Sequence, residues 1–320
     1  MRRKLFFIAF ALLVGSAAFA QTAEEATNTF NEGVELSKTN VAEAIVKFEK
    51  AIEIASQVGE EADEVKNQIV AILPNLYLKK AVDLLGEEKY TEAIAAYEET
   101  IKCAEKYSNE DIAGKSKDAI GKVYYAQARI AIRDKKADEA IALLDKAIEV
   151  NPGNDDATFL KGEALRGSGK FDESIAIYDE LLKKATEAEN EDDIAKMKKS
   201  LGAAYLAKSL VPLREKKYAE AQPLLEKCVE YGDNPTAYTQ LASVYNTRKL
   251  HDKTIVAATK ALELRKSETA DKKASLNFFL GSAYQAKANN EKACAALKNA
   301  LFPPYTESAK YKIETELKCK

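Results

Sequence analysis

The chain has 320 residues, with 48 Lys and Arg against 51 Asp and Glu, a single His and no Trp. This mild acidity argues against a phosphate-backbone partner, so no nucleic acid is expected, and one histidine leaves little material for acid–base catalysis. About 300 residues is long for one compact core, which implies either two domains or an elongated stack.

The first twenty residues read as a secretory signal peptide. Arg2, Arg3 and Lys4 precede an apolar run from Leu5 to Val14, and Ala18-Phe19-Ala20 supplies a small-x-small cleavage site before Gln21. The run is too short to span a bilayer as a helix, and no Cys follows the cleavage point to carry a lipid. The expected product is a periplasmic or secreted chain, cleaved after Ala20, with no stable membrane insertion. It would carry 45 basic and 51 acidic residues.

From residue 40 onward one phrase recurs. Ala44-Ile45-Val46-Lys47-Phe48-Glu49-Lys50-Ala51-Ile52 returns at Ala93–Ile101 and Ala140–Ile148, and weaker copies open at Ser174, Ala221, Thr254 and Ala293. Each places apolar residues on one stripe of an amphipathic helix. The small residue that opens each copy lets two helices approach, and the aromatic or Leu four positions on fills the space between them. A second helical stretch and a turn precede each phrase, as at Gly167-Ser168-Gly169-Lys170-Phe171. Breakers such as Asn151-Pro152-Gly153-Asn154, Gly232-Asp233-Asn234-Pro235 and Pro303-Pro304 often follow. There is no sustained period-2 alternation that would predict strands.

These residues resemble the tetratricopeptide repeat family, whose unit is a pair of helices in 34 residues. The large aromatic of the family's first helix stands as Tyr77, Tyr124, Tyr205 and Tyr238. Its Leu-Gly-x-x-Tyr element stands as Leu280-Gly281-Ser282-Ala283-Tyr284, its second-helix pattern as Ala44, Phe48 and Ala51, and its closing Pro as Pro152. The resemblance covers residues 24 to 304. It implies an all-α, right-handed superhelical solenoid of about seven helix pairs occupying 21–304, with 305–320 as a C-terminal capping helix that carries Tyr305, Ala309, Ile313 and Leu317 on one face.

Three departures matter. The opening small residues are spaced by 49, 47, 34, 47, 33 and 39 residues. Three steps therefore exceed the family period by about four helical turns. Dividing these turns evenly between two antiparallel partners predicts longer, projecting helices around 59–72, 109–119 and 185–196. Pro74 and Pro212 fall inside predicted helices and should mark a first turn or a kink.

Catalytic sets are missing. His251 is read as a solvated turn residue beside Asp252 and Lys253, and no phosphate loop, nucleophile elbow, zinc or calcium spacing occurs. Asp155-Asp156 and Asp192-Asp193 stand at helix starts, where carboxylates serve free N–H groups and the helix dipole. No cofactor or metal is expected, and no catalysis. Of the cysteines, Cys103, Cys228 and Cys294 sit among apolar neighbours, where a small buried hydrophobe is the simplest reading. Cys294–Cys319 is a possible disulfide that would tie the C-terminal helix to the preceding pair.

In the family, the first helices of successive pairs line a groove. That placement puts Tyr125, Arg129, Phe159, Glu163, Phe278 and Gln285 toward a partner, with packing between helices as the alternative use of each. Lys122, Tyr125, Arg129, Phe159 and Glu163 do not match the two-Lys, two-Asn clamp of chaperone-binding members, so recognition of an acidic C-terminus is not implied. The expected function is a protein- or peptide-binding adaptor of the cell envelope. The alternative is a glycan or small-ligand receptor built on the same repeats.

Overall fold

The structure is a computed structural model that describes residues 22–320; the expected signal peptide and its cleavage site lie outside the described residues. The described residues are all-α, with fifteen α-helices and no strand. The described chain divides into two compact units, with the division between residues 123 and 124.

In the first unit, α1 (Ala23–Leu36) pairs with α2 (Val41–Val58) and α3 (Asp63–Gly86) with α4 (Tyr90–Lys106), and α5 begins at Glu110. In the second, the remainder of α5 (to Arg133) pairs with α6 (Ala137–Val150). The next pairs are α7 (Asp155–Gly167) with α8 (Phe171–Glu187) and α9 (Glu191–Arg214) with α10 (Tyr218–Glu230). They are followed by α11 (Pro235–Thr247) with α12 (His251–Leu264) and α13 (Ala270–Ala286) with α14 (Asn290–Lys298).

The recurrent phrase is the second helix of each pair, and its spacing states the packing. All seven opening small residues, Ala44, Ala93, Ala140, Ser174, Ala221, Thr254 and Ala293, are fully buried. Four positions on, Phe48, Tyr97, Leu144, Tyr178, Leu225, Ala258 and Leu297 are buried as well. The facing helix answers with another small residue, Ala81, Ala128, Gly162, Ser209, Ala242 or Gly281, always twelve positions before the opener. At Gly162 the fit leaves no room: a Cβ there would lie 2.7 Å from Cε1 of Tyr178. The Ser174 hydroxyl donates to the Gly162 carbonyl at 2.8 Å, fixing the register of the two helices.

Six of the pairs share one turn. The residue five positions before the opener, Glu88, Lys135, Gly169, Lys216, Lys249 or Ala288, has φ between 57° and 84°, in the left-handed region. The next amide closes back onto the carbonyl five residues earlier, as Lys136 to Ala131 and Lys170 to Leu165 at 2.8 and 2.9 Å. This satisfies the carbonyls that a helix end otherwise leaves orphaned. Only one of the six is glycine, so composition alone concealed the motif.

The three long steps are helical, but the extra turns are not shared evenly. The longer partner is the first helix of the following pair: α3, α5 and α9 each run 24 residues, against 13 in α7 and α11. The preceding second helices α2, α4 and α8 gain only about one turn, at 18, 17 and 17 residues against 13 or 14 in α6, α10 and α12. The cause is local. At Ser108 and Glu189 the α4–α5 and α8–α9 connections use the same tight left-handed turn, so the new helix starts at once and runs the whole overhang. Pro74 and Pro212 lie inside α3 and α9 beyond the first turn, both buried.

After α14 the chain folds back as α15 (Thr306–Tyr311) and one wide turn over Lys312–Glu316. This differs from the single regular helix expected for 305–320. The Leu317 amide reaches the Lys312 carbonyl at 2.9 Å, and that widened turn delivers Cys319 to Cys294, with which it is disulfide-bonded at a Cα separation of 5.7 Å. Ala309 is buried with Leu297 and Ala300, and Ile313 and Leu317 pack on the same cluster.

Candidate functional site

The six predicted contact residues all belong to the second unit, on α5, α7 and α13, but they do not share one environment. Phe278 packs its ring on Tyr305 at 4.9 Å between centroids and belongs to the cluster under Ala309. The Gln285 amide donates to Glu316 at 2.6 Å, and its carbonyl accepts from Lys312 at 2.8 Å. The returning C-terminal segment covers both side chains.

The other four lie on α5 and α7 in matching register. Tyr125 and Phe159 stand fifteen positions before the openers of their pairs, and Arg129 and Glu163 eleven. Tyr125 is half-buried against the α5–α6 core, whereas Arg129 is exposed. Glu163 lies 4.0 Å from Arg166, a long and solvated ion pair that contributes little. The same register on α9 gives Leu206 and Leu210, and with them Ile130 and Val211 one position further on. Ile130, Leu210 and Val211 are 39%, 36% and 47% exposed. Aligning the repeats on their buried openers would have found these aliphatic residues; inspection of polar and aromatic positions did not.

Phe159 stands at the mouth of a cleft of about 290 Å³ between α7, α8 and the N-terminal half of α9. Its ring lies 5.6 Å from the buried ring of Tyr178, and the Lys196 ammonium sits over it at 3.9 Å from the centroid. A cation over an aromatic face is attracted by the ring quadrupole. Lys184 pairs with Asp155 at 2.6 Å on the rim. Asn154 and Asn190 cap α7 and α9, accepting from the Ala157 and Asp193 amides at 3.0 and 3.2 Å. The N–H groups expected to be served by Asp155-Asp156 and Asp192-Asp193 therefore go to these asparagines, and the acids complement the helix dipoles, Asp155 also pairing with Lys184.

A larger cleft of about 630 Å³ lies in the first unit between α2, α3 and α4 and holds none of the predicted residues. Tyr77 donates to Glu49 at 2.5 Å across it, and burial together with that carboxylate drives the phenol above its ordinary range. At its floor Cys103 is buried, and burial pushes the thiol up to about 11. Cys228 in the second unit is raised to about 11 by the same cause, so both free thiols stay protonated and unreactive near neutrality.

His251 is not the solvated turn residue expected. It opens α12 at the position held by Tyr90, Phe171 and Tyr218 in other pairs, and it is half-buried with Nδ1 shielded and unpartnered. It fills an aromatic site of the repeat. Among the described residues no cluster of three or more His, Cys, Asp or Glu could hold a metal ion, and no helix is long and apolar enough to cross a membrane.

A family model described as tetratricopeptide repeat matches residues 125–189. Among solved structures, MamA from Desulfovibrio magneticus is 22% identical, covering 59% of this chain and 96% of that one, with a TM-score of 0.37. The C-terminal part of a repeat-containing protein from Cytophaga hutchinsonii is 20% identical, covering 88% of this chain and 97% of its own, with a TM-score of 0.36. YrrB, described as a protein with an unusual peptide-binding site, is 20% identical over 56% of this chain and 84% of its own, with a TM-score of 0.35. No curated protein matches the chain in sequence.

Proposed function

We propose that this protein, whose chain carries tetratricopeptide repeats, is a non-catalytic scaffold that works outside the cytoplasm and holds segments of other proteins along its first helices. One observation carries the binding reading: Arg129, Ile130, Leu210 and Val211 stay exposed at the same two adjacent registers of α5 and α9. Aliphatic side chains left in water on two first helices cost stability that a partner recovers by covering them. The export reading rests on the charged, apolar and small-residue segments of residues 1–20. The absence of catalysis rests on His251 filling a packing position and on thiols held protonated by burial.

Photo-crosslinking from a benzoylphenylalanine placed at Arg129 in intact cells tests the binding reading. Discrete protein adducts, lost when Leu210 and Val211 become Glu, are expected; an absence of adducts refutes it. Fractionation with N-terminal sequencing tests export: the mature chain should begin at Gln21 outside the cytoplasm. A second reading has the 630 Å³ cleft in its favour, which is the size of small-ligand sites and is flanked by Tyr77 and Tyr107. Soluble glycans that protect Tyr77 from iodination would support that reading over protein capture.

A further inference from the structure

The three overhanging steps differ in what covers them. On the α2–α3 overhang, Ile54, Ala55 and Ala62 are buried with Ala26 of α1, and Ala23 packs on the same cluster. On the α4–α5 overhang, Ala104, Ile112 and Ala113 are buried with Leu78 of the 24-residue α3 packed on them. The α8–α9 overhang follows α7, which has 13 residues and starts only at Asp155. Asn151-Pro152-Gly153-Asn154 breaks the chain before α7 and prevents it from growing backward over the exposed ground. The 290 Å³ cleft is the space that results.

Its chemistry is asymmetric. Leu181, Ala185 and Met197 make an apolar floor, each 8% exposed or less, with Phe159 as one wall. On the rim Lys184 is engaged by Asp155, and Lys196 by the Phe159 ring. Asp156 and Asp193, which also line the cleft, have no cationic partner among the described residues; Asp193 receives only the amide of Asn190 at 2.7 Å. Three carboxylates (Asp155, Asp156, Asp193) stand against two ammonium groups (Lys184, Lys196), so the lining is negative by one charge, while the floor asks for an aliphatic group.

We propose that this cleft docks a short helical segment of a partner protein that inserts one aliphatic side chain and presents Lys or Arg one turn away on either side. The segment would do for α8–α9 what the first turn of α1 does for α2–α3. On a helix, positions i and i+4 share a face, so one aliphatic residue and its flanking bases meet the floor and the rim together. At the small end of ligand cavities, the volume suits one or two side chains and not a cofactor. The proposal rests on the protein-binding reading above and names the chemistry of the bound segment.

Two short, acetylated and amidated Ala/Gln helical peptides test it, each with one central Leu flanked at i−4 and i+4 by Lys in one and by Glu in the other. Titrated against the mature chain and followed by amide shifts, the Lys peptide should bind about fivefold tighter, the size of two exposed ion pairs of about 0.5 kcal/mol each. The shifts should centre on Phe159 and Met197. Asp156→Lys with Asp193→Lys should reverse the preference, and Ala188→Trp, at an exposed position on the cleft edge, should abolish binding of both peptides. Equal binding of the two peptides, binding of neither, or indifference to Ala188→Trp overturns the proposal. If any of these occurs while crosslinks from Arg129 persist, the cleft alone is rejected; if those crosslinks vanish too, the protein-binding reading goes with it.

Discussion

Substituting Gly162 by Ala should destabilise the α7–α8 pair, although alanine is the better helix former. The new Cβ would lie 2.7 Å from Cε1 and 3.0 Å from Cζ of Tyr178, and 3.3 Å from Cγ2 of Ile177. Ordinary carbon contacts begin near ~3.5 Å. Tyr178 is fully buried and its ring abuts Phe159, so it has no free direction in which to move. Overpacking of this kind costs about 1–3 kcal/mol, and removing a mid-helix glycine returns about 1 kcal/mol. An approach of 2.7 Å to a ring with nowhere to move puts the cost in the upper half of that range, for a net loss of about 1–2 kcal/mol. Stability in a tandem array is a sum of local terms, so amide hydrogen exchange in α7 and α8 is the appropriate readout, supported by the urea midpoint. The decisive comparison is made in a Tyr178→Leu background, where the ring is gone. There Gly162→Ala should become stabilising by up to about 1 kcal/mol, reversing its sign. A neutral effect in the wild-type chain, or the same penalty in both backgrounds, would refute the claim that the ring sets the glycine.

The remaining predictions concern turns, the C-terminal segment and pH. Lys135 holds φ at 61° in a turn that Gly169 fills elsewhere without strain; Lys135→Gly should raise stability by about 0.5–1 kcal/mol in urea unfolding. Cys319→Ser opens a loop whose ends are 25 residues apart; chain entropy sets a loss of about 3 kcal/mol, seen as faster exchange confined to α13 through residue 317. For Cys103 and Cys228, thiols raised from 9.0 to about 11 in the folded chain bind protons that the unfolded chain has released. Their contribution is complete below pH 9 and is lost as pH rises toward 11, so the urea midpoint should fall over that window. Cys103→Ala with Cys228→Ala should flatten this part of the profile.

The repeat was legible because each opener is fully buried whether it is Ala, Ser or Thr. Close approach of two helices selects for size, and size is visible in a sequence. The turn was less legible, since the left-handed residue is Lys in three of six pairs and Glu or Ala in two more. Backbone hydrogen bonds, such as Lys136 to Ala131, fix that conformation whatever the side chain. Arg129 and Phe159 could be placed on an outward face by register. The covering of Phe278 and Gln285 could not, because it depends on a segment more than twenty residues away and on a widened turn that periodicity does not encode.

The excess length of three steps was plain in the spacing, but its division between partners was not, and the division is what makes the cleft. An even split would have lengthened α8 by two turns and left α9 correspondingly shorter. The observed helices put most of the overhang on α9, starting at Glu191, while the Pro152-Gly153 breaker holds α7 to a start at Asp155. A long helix beside a short one leaves a gap at the mismatch, and Met197, Ala185 and Leu181, themselves nearly buried, form its apolar floor. Length asymmetry between neighbouring first helices therefore acts as a site-forming device. It predicts where such a cleft should occur in this chain: after a short first helix followed by a long one, as at α7–α9. By the same rule α1, with 14 residues before the 24 of α3, should leave a cleft as well. There Gly59 and the turn Glu60–Ala62 instead bend the connection down onto Ala26, burying Ala62 with it on the α1 side. Replacing the Gly59–Ala62 connection with the tight turn of Ala188–Asn190 should therefore open a second apolar cleft at α1. Increased binding of a hydrophobic dye to that variant would show it, and unchanged binding would count against length asymmetry as the cause.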